Sequence, residues 1–198
     1  PLLSIIQVNI FFFGGTFDPP HKGHLSIIQY CIKKSHQLIL IPTRKSPLKD
    51  MPPVVSPHHR IKMLELLIDD INHNIIIDGW EINNPSPNYT YDTIKHLQIE
   101  YPASNLFMVL GGDQLSRFKE WKNNRQIMEM VNIIAFNRIN SLHKPLKGMH
   151  INWIEDFQMD ISSTHIREEF SAGEIPIKAL TSEIVDYIRE NQLYGYQS

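Results

Sequence analysis

Apolar and polar positions along the chain fall into two kinds of block. Short, nearly unbroken apolar runs recur at Ile5–Phe13, Leu38–Ile41, Ile75–Ile77, Leu106–Leu110, Ile133–Phe136 and Ile151–Ile154. Each is too short for a buried helix, and most carry little polar alternation, as expected of strands covered on both faces. Between the runs, apolar residues return at helical spacing: Leu25, Ile28 and Ile32; Ile61, Leu64 and Leu67; Ile94 and Leu97; Ile127 to Val131. A last amphipathic segment carries Ile184, Val185 and Ile188 and ends at Leu193-Tyr194. Helix starts are marked by Ser56-Pro57, an N-cap with proline at the first helical position, and by Thr90 with Asp92 in the first turn. Strand alternating with helix predicts an α/β fold, a doubly wound, mainly parallel sheet flanked by helices and Rossmann-like in plan.

The 198 residues predict one domain, 1–198, with a helical part at 162–194 packed on it. A hydrophobic fraction of 42% and a charged fraction of 20% are ordinary for a globular protein. A net charge of −2 gives no global field for nucleic acid, so anionic ligands must be met by local basic groups. Cys31 is the only cysteine, which rules out an internal disulfide and a cysteine-based zinc site and suits a reducing cytoplasm. The run up to Phe13 lacks a basic flank and is broken by Ser4, Gln7 and Asn9, so it reads as a first strand rather than a signal or membrane segment. Neither nucleic acid nor membrane is expected as a partner, and homo-oligomerisation stays open.

Chemistry concentrates where apolar runs end. After Phe13 come Gly14-Gly15-Thr16-Phe17-Asp18-Pro19-Pro20-His21-Lys22-Gly23-His24. Glycines at a strand end allow positive φ and close approach of a ligand, while unpaired amides and the dipole of a helix start favour an anion. His21 and His24 add donors, so the stretch reads as a phosphate site. The second strand runs into a loop with Arg44, Lys45 and Lys49, and the fourth into Gly111-Gly112-Asp113 followed by Trp121-Lys122. In open α/β sheets, ligands bind at such strand ends. Ser162-Ser163-Thr164 opens another helix with Arg167 one turn on, a second arrangement suited to phosphate. His58 and His59 read as surface residues, and 141–150 as an exposed loop.

These residues carry a resemblance. The glycine–histidine stretch is similar to the G-x-F-D-x-x-H-x-G-H signature of the nucleotidyltransferase superfamily, and Ile161 to Arg167 to its I-S-S-T-x-I-R segment. Tyr89-Thr90-Tyr91-Asp92-Thr93-Ile94 resembles the Y-T-x-D-T segment of bacterial nicotinate-nucleotide adenylyltransferases. Gly111, Asp113, Trp121 and Lys122 resemble their G-x-D and W-[KR] pair. The matches run in order from Phe13 to Tyr194.

The resemblance implies a reaction, ATP plus nicotinate mononucleotide giving deamido-NAD and pyrophosphate, within NAD biosynthesis. It implies His21, His24 and Arg167 as catalytic residues. Gly14, Gly15, Thr16, Phe17, Lys49, Ser162, Ser163 and Thr164 would bind ATP and phosphate, and Thr90, Asp113, Trp121 and Lys122 the nicotinate nucleotide. Mg2+ would arrive with ATP rather than on a protein site. Nicotinamide mononucleotide or phosphopantetheine as acceptor, a regulator that binds nucleotide without turning it over, and a hydrolase using His21 and His24 as half a metal site are the alternatives.

Overall fold

The computed structural model describes residues 8–48, 51–71, 74–85, 87–136, 148–154, 157 and 161–196, with the backbone alone at Asp113. Six strands form one sheet in the order β3-β2-β1-β4-β5-β6, every neighbouring pair parallel. They are β1 (Val8–Gly15), β2 (Gln37–Pro42), β3 (Ile75–Ile77), β4 (Ser104–Gly111), β5 (Asn132–Phe136) and β6 (Ile151–Ile154). The expected α/β architecture is therefore present, with β1 and β4 adjacent where the strand order reverses. A crevice opens at such a switch point, because the connections on either side leave in opposite directions.

The phenylalanine run explains itself in this frame. Successive strand side chains point to opposite faces, and both faces are covered. Phe11 and Phe13 join a core with α1 (Lys22–Ile32), α2 (Pro57–Ile68), α7 (Ser163–Ser171) and α8 (Ser182–Glu190), through Ile28, Cys31, Met63, Leu64, Phe170 and Ile184. Ile10 and Phe12 join the opposite core with α4 (Thr90–Glu100) and α6 (Asn124–Met130), through Ile94, Leu97 and Ile127. The C-terminal helices thus pack on the same face of the sheet as α1. Among the described residues no helix is long and apolar enough to cross a membrane.

Several local expectations need correction. β1 does not stop at the glycines: Gly14 pairs with Ile41 and Gly15 with Pro42, and neither has positive φ. Thr90 is not the cap of α4 but its first residue, after an extended Tyr89. Two short helices were not foreseen, α3 (Trp80–Asn83) directly after β3 and α5 (Gly112–Ser116) directly after β4. His59 is not a plain surface residue: it is half-buried and its Nδ1 lies 2.8 Å from the Tyr187 hydroxyl, which joins α2 to α8. In the loop read as exposed, Met149 is buried, and residues 141–147 lie outside those described.

Candidate active site

The phosphate motif is shaped by packing at two glycines. A Cβ on Gly15 would stand 2.9 Å from the Phe17 ring, which folds back over the strand end. Phe17 is buried with φ of +50°, edge-on to Phe13 and to His24 at centroid distances of 5.5 and 5.0 Å. A left-handed backbone at a non-glycine residue costs on the order of 1–3 kcal/mol, so its surroundings must hold it there. A Cβ on Gly23 would lie 2.9 Å from Cε1 and Nδ1 of His21. The histidine ring therefore lies over the helix backbone only because position 23 has no side chain.

His21 caps α1 in extended conformation. Its Nδ1 accepts the His24 amide at 3.4 Å, and His24 Nδ1 accepts the His21 amide at 3.2 Å, a reciprocal capping box made of two histidines. The rings stack at 3.7 Å. With both Nδ1 atoms accepting, the proton of each neutral ring belongs on Nε2, a tautomer assigned from the hydrogen bonds.

The start of α7 meets this motif across about 140 residues of sequence. Ile161 Cβ lies 3.9 Å from where a Gly23 Cβ would stand. Ser162 caps α7 by accepting the His165 amide at 3.5 Å. Ser163 Oγ donates to the Pro19 carbonyl at 2.9 Å. Arg167 donates from Nη1 to the Asp18 carbonyl at 2.7 Å and from Nη2 to Thr164 Oγ1 at 3.2 Å. The two segments suited to phosphate thus face one space, and Arg167 and Ser163 already hold the loop that carries His21.

Sequence reasoning missed the layer behind. Asp18 is 3% exposed, and its carboxylate accepts the Val54 amide at 2.7 Å and the Tyr194 hydroxyl at 2.8 Å. Burial, then the Asp18 charge, pushes the Tyr194 phenol above its ordinary range. Arg60 lies beneath, on the apolar face of α2 beside Met63 and Leu64. An arginine at that helical spacing was the available signal for it; Tyr194 offered none.

Beyond β4, Lys122 Nζ sits 4.3 Å from the centroid of the Tyr89 ring, which joins the tryptophan–lysine segment to the start of α4. Trp121 is half-buried, 5.1 Å from Phe118. Thr93 in the first turn of α4 donates to Glu81 Oε1 at 2.6 Å. Glu81 is buried in α3, and its pKa is pushed up to about 7 by burial, with the Thr93 bond opposing and the Asp78 charge adding. The bonds that hold the basic loop include Arg44 Nη1 to Asn84 O at 3.4 Å and Arg117 Nη1 to Leu48 O at 3.1 Å. Asp113 lies in the first turn of α5, and Lys49 falls outside the described residues. Among the described residues no group of three or more His, Cys, Asp and Glu is placed to hold a metal ion.

The chain is similar to known proteins over most of its length. The profile of the cytidylyltransferase-like family matches residues 12–169. A probable nicotinate-nucleotide adenylyltransferase of Methylacidiphilum infernorum is 32% identical over 185 residues, 92% of this chain and 90% of that one. The corresponding protein of Chlorobium phaeobacteroides is 33% identical over 194 residues, 92% and 97%. Among solved structures, Plasmodium falciparum nicotinic acid mononucleotide adenylyltransferase complexed with NaAD superposes with a TM-score of 0.81, covering 96% of this chain and 99% of that one at 21% identity, a likeness of fold. On its matched profile and on relatives above 30% identity along nearly the whole chain, this protein belongs to the cytidylyltransferase-like family, among the nicotinate-nucleotide adenylyltransferases.

Proposed function

We propose that the protein transfers the adenylyl group of MgATP to nicotinate mononucleotide, giving deamido-NAD and pyrophosphate. The observation that carries this reading is the interlocked His21–His24 pair at the start of α1, with the start of α7 held against the same loop by Arg167 and Ser163. Helix-start amides, imidazole N–H groups, hydroxyls and a guanidinium form a set of donors for anions. Such a set lacks the clustered oxygens that a hard cation requires, so magnesium belongs to the nucleotide substrate.

In this reading, a phosphate oxygen of the mononucleotide attacks the α-phosphorus of ATP. The new O–P bond forms as the bond to the bridging oxygen breaks, and the electron pair leaves with pyrophosphate. The attacking phosphate is already an anion at neutral pH, so positioning and charge stabilisation carry the rate. His21 and His24 donate from Nε2 to the α-phosphate oxygens as charge builds there. Gly14, Gly15, Thr16 and Phe17 give the triphosphate close main-chain contact. Arg167, Ser162, Ser163 and Thr164 receive the leaving pyrophosphate, and Lys49 holds the incoming phosphate. Thr90, Asp113, Trp121 and Lys122 frame the pyridine ring, with the indole face suited to the cationic ring.

Incubation with ATP, Mg2+ and nicotinate mononucleotide should release pyrophosphate and form the dinucleotide. Nicotinamide mononucleotide and phosphopantetheine serve as parallel acceptors. Faster turnover of either one would reassign the acceptor and leave the transfer chemistry standing; no pyrophosphate with any of the three would refute the reading.

A further inference from the structure

The phosphate loop is held from behind by two residues that no motif includes. Arg60 is fully buried, at 0% exposure. Its Nη1 donates to two main-chain carbonyls, Thr16 at 2.6 Å and Thr43 at 2.8 Å. Thr16 belongs to the loop leaving β1, and Thr43 follows the last residue of β2. Tyr194, in the C-terminal turn, donates to the carboxylate of Asp18, one residue before the Pro19 carbonyl that Ser163 engages. Burial lowers the Arg60 pKa, and the nearby Asp18 charge opposes that lowering.

We propose that Arg60 and Tyr194 are positioning residues for adenylyl transfer, fixing the spacing and main-chain orientation of the phosphate loop without touching substrate. The inference rests on the transfer reading given above. The Thr16–Phe17 peptide is planar and trans, so a carbonyl drawn toward Arg60 turns the Phe17 N–H to the opposite side, away from α2. That N–H is then held in a fixed direction on the far side of the loop from Arg60. The same Nη1 ties the β1 loop to the β2 loop, which leads into Arg44 and Lys45. Asp18, gripped by Tyr194 and the Val54 amide through its carboxylate and by Arg167 through its carbonyl, fixes the far side of Phe17.

Stability alone does not account for this arginine. Nε and Nη2 are buried without hydrogen-bond partners. Desolvated, unpaired donors cost folding free energy, and an apolar side chain among Met63 and Leu64 would avoid that cost. What an apolar residue would lose is the bridge between the two loops.

Arg60→Lys keeps the charge but loses the planar fork, and Tyr194→Phe removes one oxygen from a packed ring. Both variants and the wild type are compared by thermal melting and by steady-state kinetics against MgATP and nicotinate mononucleotide. Wild-type turnover is the control: its absence would strike the transfer reading, not the positioning. The expected result is a single cooperative melt for each variant. Per folded molecule, kcat should fall roughly tenfold or more in Arg60→Lys and about 3- to 10-fold in Tyr194→Phe, the scale on which small misplacements of reacting groups act. KM for the mononucleotide should change less than about twofold, since the loss lies in the transition state. Wild-type kcat per folded molecule in both variants, or a rise in KM alone, would overturn the proposal. Should Arg60→Lys fail to fold, Tyr194→Phe decides by itself, and an unchanged kcat there would also overturn it.

Discussion

At the phosphate end of the crevice, the carbonyls of Thr16, Asp18 and Pro19 are each engaged by a side chain, from Arg60, Arg167 and Ser163. At the end proposed for the pyridine ring, the described contacts that tie the start of α4 to its surroundings include a buried Glu81–Thr93 hydrogen bond and a Lys122–Tyr89 contact at the surface. The first end is over-determined and the second is not. In the proposed reading, the difference follows from what each end must do. Charge builds on phosphate oxygens during transfer, and donors there are effective only if they need no rearrangement as it builds. A pyridine ring is only docked, and stacking tolerates small displacements.

The contrast is most sharply tested at His24. His24→Ala removes an Nε2–H donor, and it also removes the acceptor for the His21 amide. Loss of this reciprocal half of the capping box, with the His21 cap itself kept, should cost up to about 1 kcal/mol of stability. Loss of the donor should cost about 10²–10³ in turnover. Melting and steady-state turnover separate the two effects. A variant that melts lower but turns over at the wild-type rate would remove the histidine pair from the chemistry.

Glu81 tests the other end, through pH. Its pKa is pushed up to about 7 in the folded protein, against an ordinary 4.5. Folding therefore favours the protonated acid. That contribution is fully present below pH 4.5 and is lost as pH rises through about 7. The rise corresponds to about 3 kcal/mol, an upper figure for so buried a group. Glu81→Gln stays neutral throughout and keeps an acceptor for Thr93. Its stability relative to wild type should grow by up to about 3 kcal/mol between pH 5 and pH 8.5 in denaturant titrations. Parallel pH profiles for the two proteins would show that Glu81 is not the strained group of this end.

Legibility in the sequence followed the same division. All six strands were readable as apolar runs, because parallel strands covered on both faces need no polar alternation. The residues proposed to face phosphate stand in contiguous stretches, where a glycine, a histidine or a serine has a local reason to be. Gly23 is such a case, excluded from bearing a Cβ by the His21 ring. Of the supporting residues only Arg60 left a signal, an arginine on an apolar helix face, and nothing in the sequence showed what either residue holds. Arg60 and Tyr194 act on Thr16 and Asp18 from 44 and 176 residues away, and only packing brings them there. The short helices α3 and α5 also escaped, since four or five residues offer too little periodicity and both follow directly from strands. The expectation that Gly14 and Gly15 supply positive φ does not hold at either position: Gly15 is needed instead for the space that the Phe17 ring fills.

The smallest expected effect belongs to Lys122. Its ammonium lies over Tyr89 on an exposed surface, where such a contact contributes about 0.5–1 kcal/mol. Lys122→Met keeps most of the aliphatic stem and removes the charge. If the pyridine end only docks its ligand, the loss is one of binding shared by ground and transition states, which raises KM and leaves kcat alone. The expected outcome is a rise of about 2- to 5-fold in KM for nicotinate mononucleotide, with kcat and KM for MgATP unchanged, since the latter is bound at the opposite end. Kinetics at several ionic strengths should shrink the effect further, because an exposed charge is screened over about 8–10 Å of salt solution. A fall in kcat approaching that of His24→Ala would mean that the start of α4 takes part in orienting the reacting phosphate, and the two ends could no longer be separated into one that positions and one that docks.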